Sequence, residues 1–215
     1  PVVALAPAAR GAGYWLAAAD GGVFAFGRAP YLGSLAGRRL NAPVIAMAPT
    51  PSGNGYWLVG ADGGVFGFGD AAFHGSLTGR PPSSPVVAFA ATPSGAGYWL
   101  ATADGGVFAF GDATFAGSLA GQPLRAPVVD LAPTPSGAGY RLVSGDGGVF
   151  AFGDAGYTGS MAGQPLNAPI VKVASSPSGR GYRLVAADGG VFAFGGASFV
   201  GAVAGRPLNA WSPPR

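Results

Sequence analysis

The chain has no cysteine, no glutamate and a single histidine, and only a tenth of its 215 residues are charged. Without cysteine there are no disulfides and no thiolate metal sites. Glycoside hydrolysis needs an acid and a base or nucleophile held in different environments. With no glutamate, that chemistry would fall to nine aspartates, eight of which recur at two repeated turn positions. A ring of equivalent carboxylates cannot readily separate acid from base, so the chain reads as non-catalytic. The net charge of +3 is spread along the whole chain. With no block of like charge, neither nucleic acid nor a membrane surface is an expected partner. No apolar run is long enough to cross a bilayer, so membrane insertion is not expected. No stretch has phosphate-loop spacing or metal-ligand spacing, and no cofactor or metal is expected. No segment keeps a helical period over ten residues, so essentially no helix is expected.

Glycine and proline abound, at 40 and 20 residues. At random such a composition would indicate disorder, but here the glycines recur at fixed offsets. The stretch Ala103-Asp104-Gly105-Gly106-Val107-Phe108-Ala109-Phe110-Gly111-Asp112 occurs five times, with other copies starting at Ala19, Ala61, Gly145 and Ala187. The turn aspartates Asp20, Asp62, Asp104, Asp146 and Asp188 stand 42 residues apart without insertion or deletion. A fixed period of this length marks a repeat architecture. The repeats run 1–42, 43–84, 85–126, 127–168 and 169–210, and residues 211–215 form a tail.

Repeat three shows the internal plan. An apolar strand from Val86 to Ala90 is followed by a turn cluster at 92–97 and an aromatic strand from Tyr98 to Thr102. Asp104-Gly105-Gly106 is a hairpin signal, because glycine accepts the positive φ of a tight turn. Val107–Phe110 is a third strand, and Phe115–Leu119 a weaker fourth. Four short antiparallel strands per repeat predict an all-β, five-bladed β-propeller. A β-solenoid is the structural rival, but its shorter rungs and capping ends are not seen. Five complete repeats predict a ring closed within one chain, hence a monomer.

The order of strands and turns resembles WD40 blades, without their Trp-Asp and Gly-His signatures. Gly55-Tyr56-Trp57-Leu58-Val59 with Asp62-Gly63-Gly64-Val65-Phe66-Gly67-Phe68-Gly69-Asp70-Ala71 more closely resembles the GYWLV-x-x-DGGVF-x-FGDA repeats of secreted and cell-envelope proteins from high-GC Gram-positive bacteria. The resemblance implies an extracellular or cell-envelope location, often beside peptidoglycan hydrolase or other surface domains. In architecture alone, five blades are similar to lectins of the tachylectin-2 type.

Several residue sets are candidates for chemistry. The turn aspartates can bind cations or sugar hydroxyls, but capping their own turns accounts for them better. Asp70, Asp112 and Asp154 give way to Arg28 and Gly196 in the outer repeats, the behaviour of a solvated turn. Trp15, Trp57, Trp99, Arg141 and Arg183 share one position. They offer either a stacking face for sugars or a half-exposed wedge between blades, and exchange of Trp with Arg argues against deep burial. Part of each Trp face is expected to be exposed. The loops between repeats carry Arg38, Arg80, Gln122, Gln164 and Arg206 at one position and Asn41, Ser83, Arg125, Asn167 and Asn209 at another. These loops are expected on the face of the Asp-Gly-Gly turns, as a ligand site or as ordinary polar loops. His74 reads as an exposed residue of strand four. Asp130 and Lys172 replace the small Ala4, Ala46 and Ala88 of strand one, and are expected to neutralise each other near the central channel. The reading reached is a glycan- or cell-wall-polymer-binding module with repeated weak sites. The rival is a protein-interaction or structural platform docking a surface protein.

Overall fold

A computed structural model describes residues 1–8, 11 and 13–204. Each repeat contributes one three-stranded antiparallel sheet in which sequence neighbours pair. The first sheet comprises β1 (Val2–Pro7), β2 (Gly13–Ala18) and β3 (Val23–Gly27). The second comprises β4 (Val44–Pro49), β5 (Gly55–Gly60) and β6 (Val65–Gly69). The third comprises β7 (Val86–Ala91), β8 (Gly97–Thr102) and β9 (Val107–Gly111). The fourth comprises β10 (Val128–Pro133), β11 (Gly139–Ser144) and β12 (Val149–Gly153). The fifth comprises β13 (Ile170–Ser175), β14 (Gly181–Ala186) and β15 (Val191–Gly195). There is no α-helix among the described residues.

The first strands of successive sheets lie side by side, β1 by β4, β4 by β7, β7 by β10 and β10 by β13. The third strands make no comparable contact with neighbouring sheets, so the blades fan out from their first strands. The middle strands are the core. In β5, β8 and β11 every residue is buried, because a sheet covers each face. A bulge at the start of every first strand shifts the register between its first and third residues, as between Val128 and Asp130. Such a bulge re-aims the side chain that follows it.

Two expectations need correction. The fourth strand is absent: residues 115–119 and their counterparts pair with no strand. The cause is the glycine at the centre of each such segment, Gly33, Gly75, Gly117 and Gly159, with φ between 127° and 137°. A strand residue cannot hold that conformation. Its carbonyl bonds instead to the tyrosine hydroxyl of the next blade, as Tyr56 Oη to Gly33 O at 2.6 Å. The second correction concerns closure. The junction between successive blades is made four times, and no comparable contact joins β13 to β1. The described residues form an open arc, not a ring closed within one chain.

The hairpin turns follow expectation. Gly21, Gly63, Gly105, Gly147 and Gly189 have φ of 80–83°. A Cβ on Gly105 would also sit 2.5 Å from Leu119 Cβ. Gly105→Val is therefore expected to destabilise the protein by at least about 2 kcal/mol, from left-handed strain with a clash added. An unchanged melting temperature would contradict this turn geometry.

Candidate functional site

Each turn aspartate caps its own hairpin. Oδ1 of Asp20, Asp62, Asp104, Asp146 and Asp188 accepts the N–H of the second glycine, at 2.9, 3.0, 3.3, 3.1 and 2.9 Å. In blade three the Thr102 hydroxyl adds a 2.5 Å bond, and chiefly for that reason Asp104 lies below the usual carboxylate range. The loops between repeats reach these turns, as expected. The Ser83 hydroxyl lies 3.4 Å from Asp104 Oδ2. An open groove of about 640 Å³ is lined by Asp104, Gln122 and Arg125 over a floor of Pro123, Leu124 and Pro127. A second, of about 740 Å³, brings Arg125 to Asp146, Gln164 and Asn167. Arg38, Arg80 and Asn41 are exposed on the same loops in the earlier repeats. Arg206 and Asn209 lie outside the described residues.

The tryptophans are not on the surface. Trp15, Trp57 and Trp99 are fully buried, as is Arg141, while Arg183 is half-buried. Exchange of Trp with Arg implied exposure, and the geometry gives the reason that inference fails. The indole N–H of Trp15, Trp57 and Trp99 donates to the carbonyl fifteen residues on, Pro30, Ala72 and Thr114, at 2.7–2.9 Å. Nε of Arg141 and Arg183 donates to the equivalent carbonyls of Gly156 and Ser198, at 2.9 and 2.7 Å. Either side chain supplies one N–H and a flat group, and in Trp15, Trp57, Trp99 and Arg141 that group packs on the tyrosine of the next blade, the Trp and Tyr rings meeting at a steep tilt of 56–65°. The ring pairs Trp15–Tyr56, Trp57–Tyr98 and Trp99–Tyr140 have centroids 5.2–6.0 Å apart. The Arg141 guanidinium sits 4.9 Å from the Tyr182 ring centroid, a cation–π contact. Its remaining bonds go to Gly179 O and Ser175 Oγ, all neutral acceptors, and burial lowers its pKa. Trp15, Trp57, Trp99 and Arg141 are therefore inter-blade packing, unavailable to a ligand, while Arg183 stays half-buried at the end of the arc.

Asp70, Asp112 and Asp154 are not simply solvated. Each accepts two hydroxyl bonds from the turn between strands one and two, as Asp112 does from Thr92 Oγ1 at 2.9 Å and Ser94 Oγ at 2.5 Å. Thr50 and Ser52 serve Asp70, and Thr134 and Ser136 serve Asp154. The same turns carry Ala8 in repeat one, with Arg28, and Ser176 and Ser178 in repeat five, with Gly196. In repeat one the hydroxyls and the aspartate are lost together, whereas repeat five keeps both hydroxyls and loses the aspartate, so the lock belongs to repeats two to four. The serine bond first and the threonine bond second hold Asp112 and Asp154 below the usual range. His74 is half-buried, its ring 5.6 Å from that of Tyr98, and is not an exposed strand residue.

Asp130 and Lys172 do meet, with Nζ to Oδ1 at 3.0 Å. The Val173 N–H donates to Oδ2 at 2.9 Å. Asp130 is buried while the Lys172 side chain is 67% exposed, so the ammonium keeps much of its water. Burial pushes the Asp130 carboxyl upward, against Lys172 and the Val173 N–H.

One surface set escaped the sequence reading. Tyr31, Phe73, Phe115, Tyr157 and Phe199 share one repeat position and are 57–63% exposed. Assigned to a fourth strand, they carried no functional weight. In blade five a groove of about 300 Å³ joins Phe199 to Asp188 and to Asn167 of the preceding loop. No cluster of three His, Asp or Glu side chains arranged for a metal occurs among the described residues.

No protein-family model matches the chain, and no curated protein matches it. Among solved structures it is similar to the crystal structure of the Cps50 (Swd1) β-propeller domain of Myceliophteria thermophila. The two share 13% identity at a TM-score of 0.60, over 95% of this chain and 73% of that one. That likeness shows the β-propeller fold.

Three outcomes follow from these contacts. Arg141→Trp should retain stability to within about 1.5 kcal/mol, because Trp fills the equivalent position with the same N–H bond in blades one to three, whereas Arg141→Ala should cost about 3–5 kcal/mol; urea titration separates them. Lys172→Ala should cost about 1–3 kcal/mol by leaving a buried carboxylate short of a partner. The double change to Ala at Asp130 and Lys172 should cost less, and denaturant midpoints decide. Asp104, Asp112 and Asp154 have lowered folded pKa values. Their contribution is therefore present above the unfolded carboxylate value and is lost as pH falls below about 4. Melting temperatures between pH 5 and 2.5 should fall more steeply for the parent than for Asp112→Asn/Asp154→Asn.

Proposed function

We propose that this chain is a non-catalytic binding module of the extracellular or cell-envelope space. Its ligand class is glycan or cell-wall polymer, taken at sites repeated along the arc. The carrying observation is the groove in which Phe199, Asp188 and Asn167 converge. A flat apolar ring beside a carboxylate and an amide suits a sugar, whose C–H face stacks while its hydroxyls hydrogen-bond. The same repeat positions hold Ser83, Asp104 and Phe115 in blade three and Arg125, Asp146 and Tyr157 in blade four, with a hydroxyl or a guanidinium in place of the amide. Sites of this kind are individually weak and gain through simultaneous engagement. The carboxylates have other employment: five cap turns, three are locked by hydroxyls and Asp130 is paired. This supports binding without catalysis. The proline- and leucine-floored grooves favour a second reading, an extended segment of a surface protein.

Replacing Tyr31, Phe73, Phe115, Tyr157 and Phe199 together by alanine tests the proposal. Sedimentation with insoluble peptidoglycan and a glycan array should both show binding weakened by about tenfold or more, since multivalent losses compound. Unchanged retention by the well-folded variant contradicts the glycan reading. Silence of the parent protein on both assays, with saturable binding to a defined peptide, favours the protein platform.

A further inference from the structure

Every junction between successive blades is built from three contacts. The tyrosine hydroxyl of the later blade donates to a glycine carbonyl of the earlier one, in Tyr56–Gly33, Tyr98–Gly75, Tyr140–Gly117 and Tyr182–Gly159. That glycine lies against a phenylalanine of the later blade. A Cβ on Gly33, Gly75, Gly117 or Gly159 would approach Phe68, Phe110, Phe152 or Phe194 to 2.5–2.7 Å. The Trp or Arg of the earlier blade packs on the same tyrosine.

The two ends of the arc carry the halves of such a junction, unmade. At blade one, Tyr14 is 40% exposed, where Tyr56, Tyr98, Tyr140 and Tyr182 are fully buried. Leu5 is 63% exposed, against 9% or less for Met47, Leu131 and Val173. Phe26 is also exposed, stacked only on Tyr14. At blade five, a Cβ on Gly201 would meet nothing within 4 Å, and Val200 is 78% exposed. Arg183 keeps its bond to Ser198 O, but no described tyrosine lies beneath its guanidinium.

We propose that these two end faces together form a docking site for a polypeptide segment carrying two further copies of the 42-residue repeat. The size follows from the arc. Five blades span 73% of the propeller domain they superpose on, and the remainder is about two blades of this length. The chemistry follows from the four made junctions. The first added blade must bring a tyrosine to Arg183 and Gly201 and a phenylalanine onto Gly201. The last must bring a Trp or Arg plane and a glycine carbonyl to Tyr14. A second copy of this chain has the right faces but is too large, because five blades do not fit a two-blade gap.

The test joins one or two repeats, copied from residues 43–126, after Ala210 and compares them with the parent by hydrogen exchange and thermal unfolding. With two repeats, the amides of β1 and β2 should exchange at least tenfold more slowly. With one repeat they should be unchanged. Tyr14→Ala should lower the melting temperature of the two-repeat form by clearly more than that of the parent, where Tyr14 has only its Phe26 stacking to lose. The proposal is overturned if the two-repeat form unfolds cooperatively with β1 and β2 still unprotected. It is equally overturned if those amides are already protected in the monomeric parent, which means closure by five blades. Protection that grows with parent concentration also overturns it, since a second copy then fills the site.

Discussion

Blade-to-blade adhesion centres on one contact, a flat side chain with an N–H at its edge, packed at a tilt against the tyrosine of the next blade. The edge N–H anchors the plane to its own blade by reaching the carbonyl fifteen residues on. The tyrosine packs beside that group and delivers its hydroxyl to the glycine segment of the blade before it. Because that segment spends its hydrogen bonds on the neighbour, it forms no fourth strand. Burial raises the pKa of Tyr56, Tyr98 and Tyr140, so their hydroxyls stay protonated donors. A repeat cannot bury its own tyrosine, so each blade needs a neighbour.

This requirement separates what the sequence made legible from what it hid. The period, the three strands and the Asp-Gly-Gly hairpins were legible because they are local: glycine at positive φ and alternation of apolar residues act within a few positions. The meeting of Asp130 with Lys172 was legible because strict repetition converts equal position into spatial adjacency. The fourth segment was misread because an aromatic-rich run such as Phe115–Leu119 has strand composition, while Gly117 sets a conformation that no strand has. The buried tryptophans were misread by comparing polarity alone. Trp and Arg differ in polarity but share shape and donor position. The row led by Tyr31 and Phe73 was overlooked for the same reason as the fourth segment: residues assigned to a strand were not weighed as surface.

Function sits on what packing leaves free. The inter-blade layer consumes the tryptophans, Arg141 and the tyrosines, and the hydroxyl locks consume Asp112 and Asp154. What remains exposed is an aromatic per blade and a polar loop that meets the next turn aspartate. On the proposed reading, repetition multiplies one modest site, and avidity rather than a single deep pocket supplies the affinity.

The contact between the flat side chain and the tyrosine couples adjacent blades. A double-mutant cycle on Trp99 and Tyr140, by urea unfolding of the single and double alanine variants, measures it most directly. The account predicts a coupling of about 1 kcal/mol or more between the two positions, which touch across the junction of blades three and four. Additivity within about 0.3–0.5 kcal/mol, the behaviour of independent sites, would contradict it.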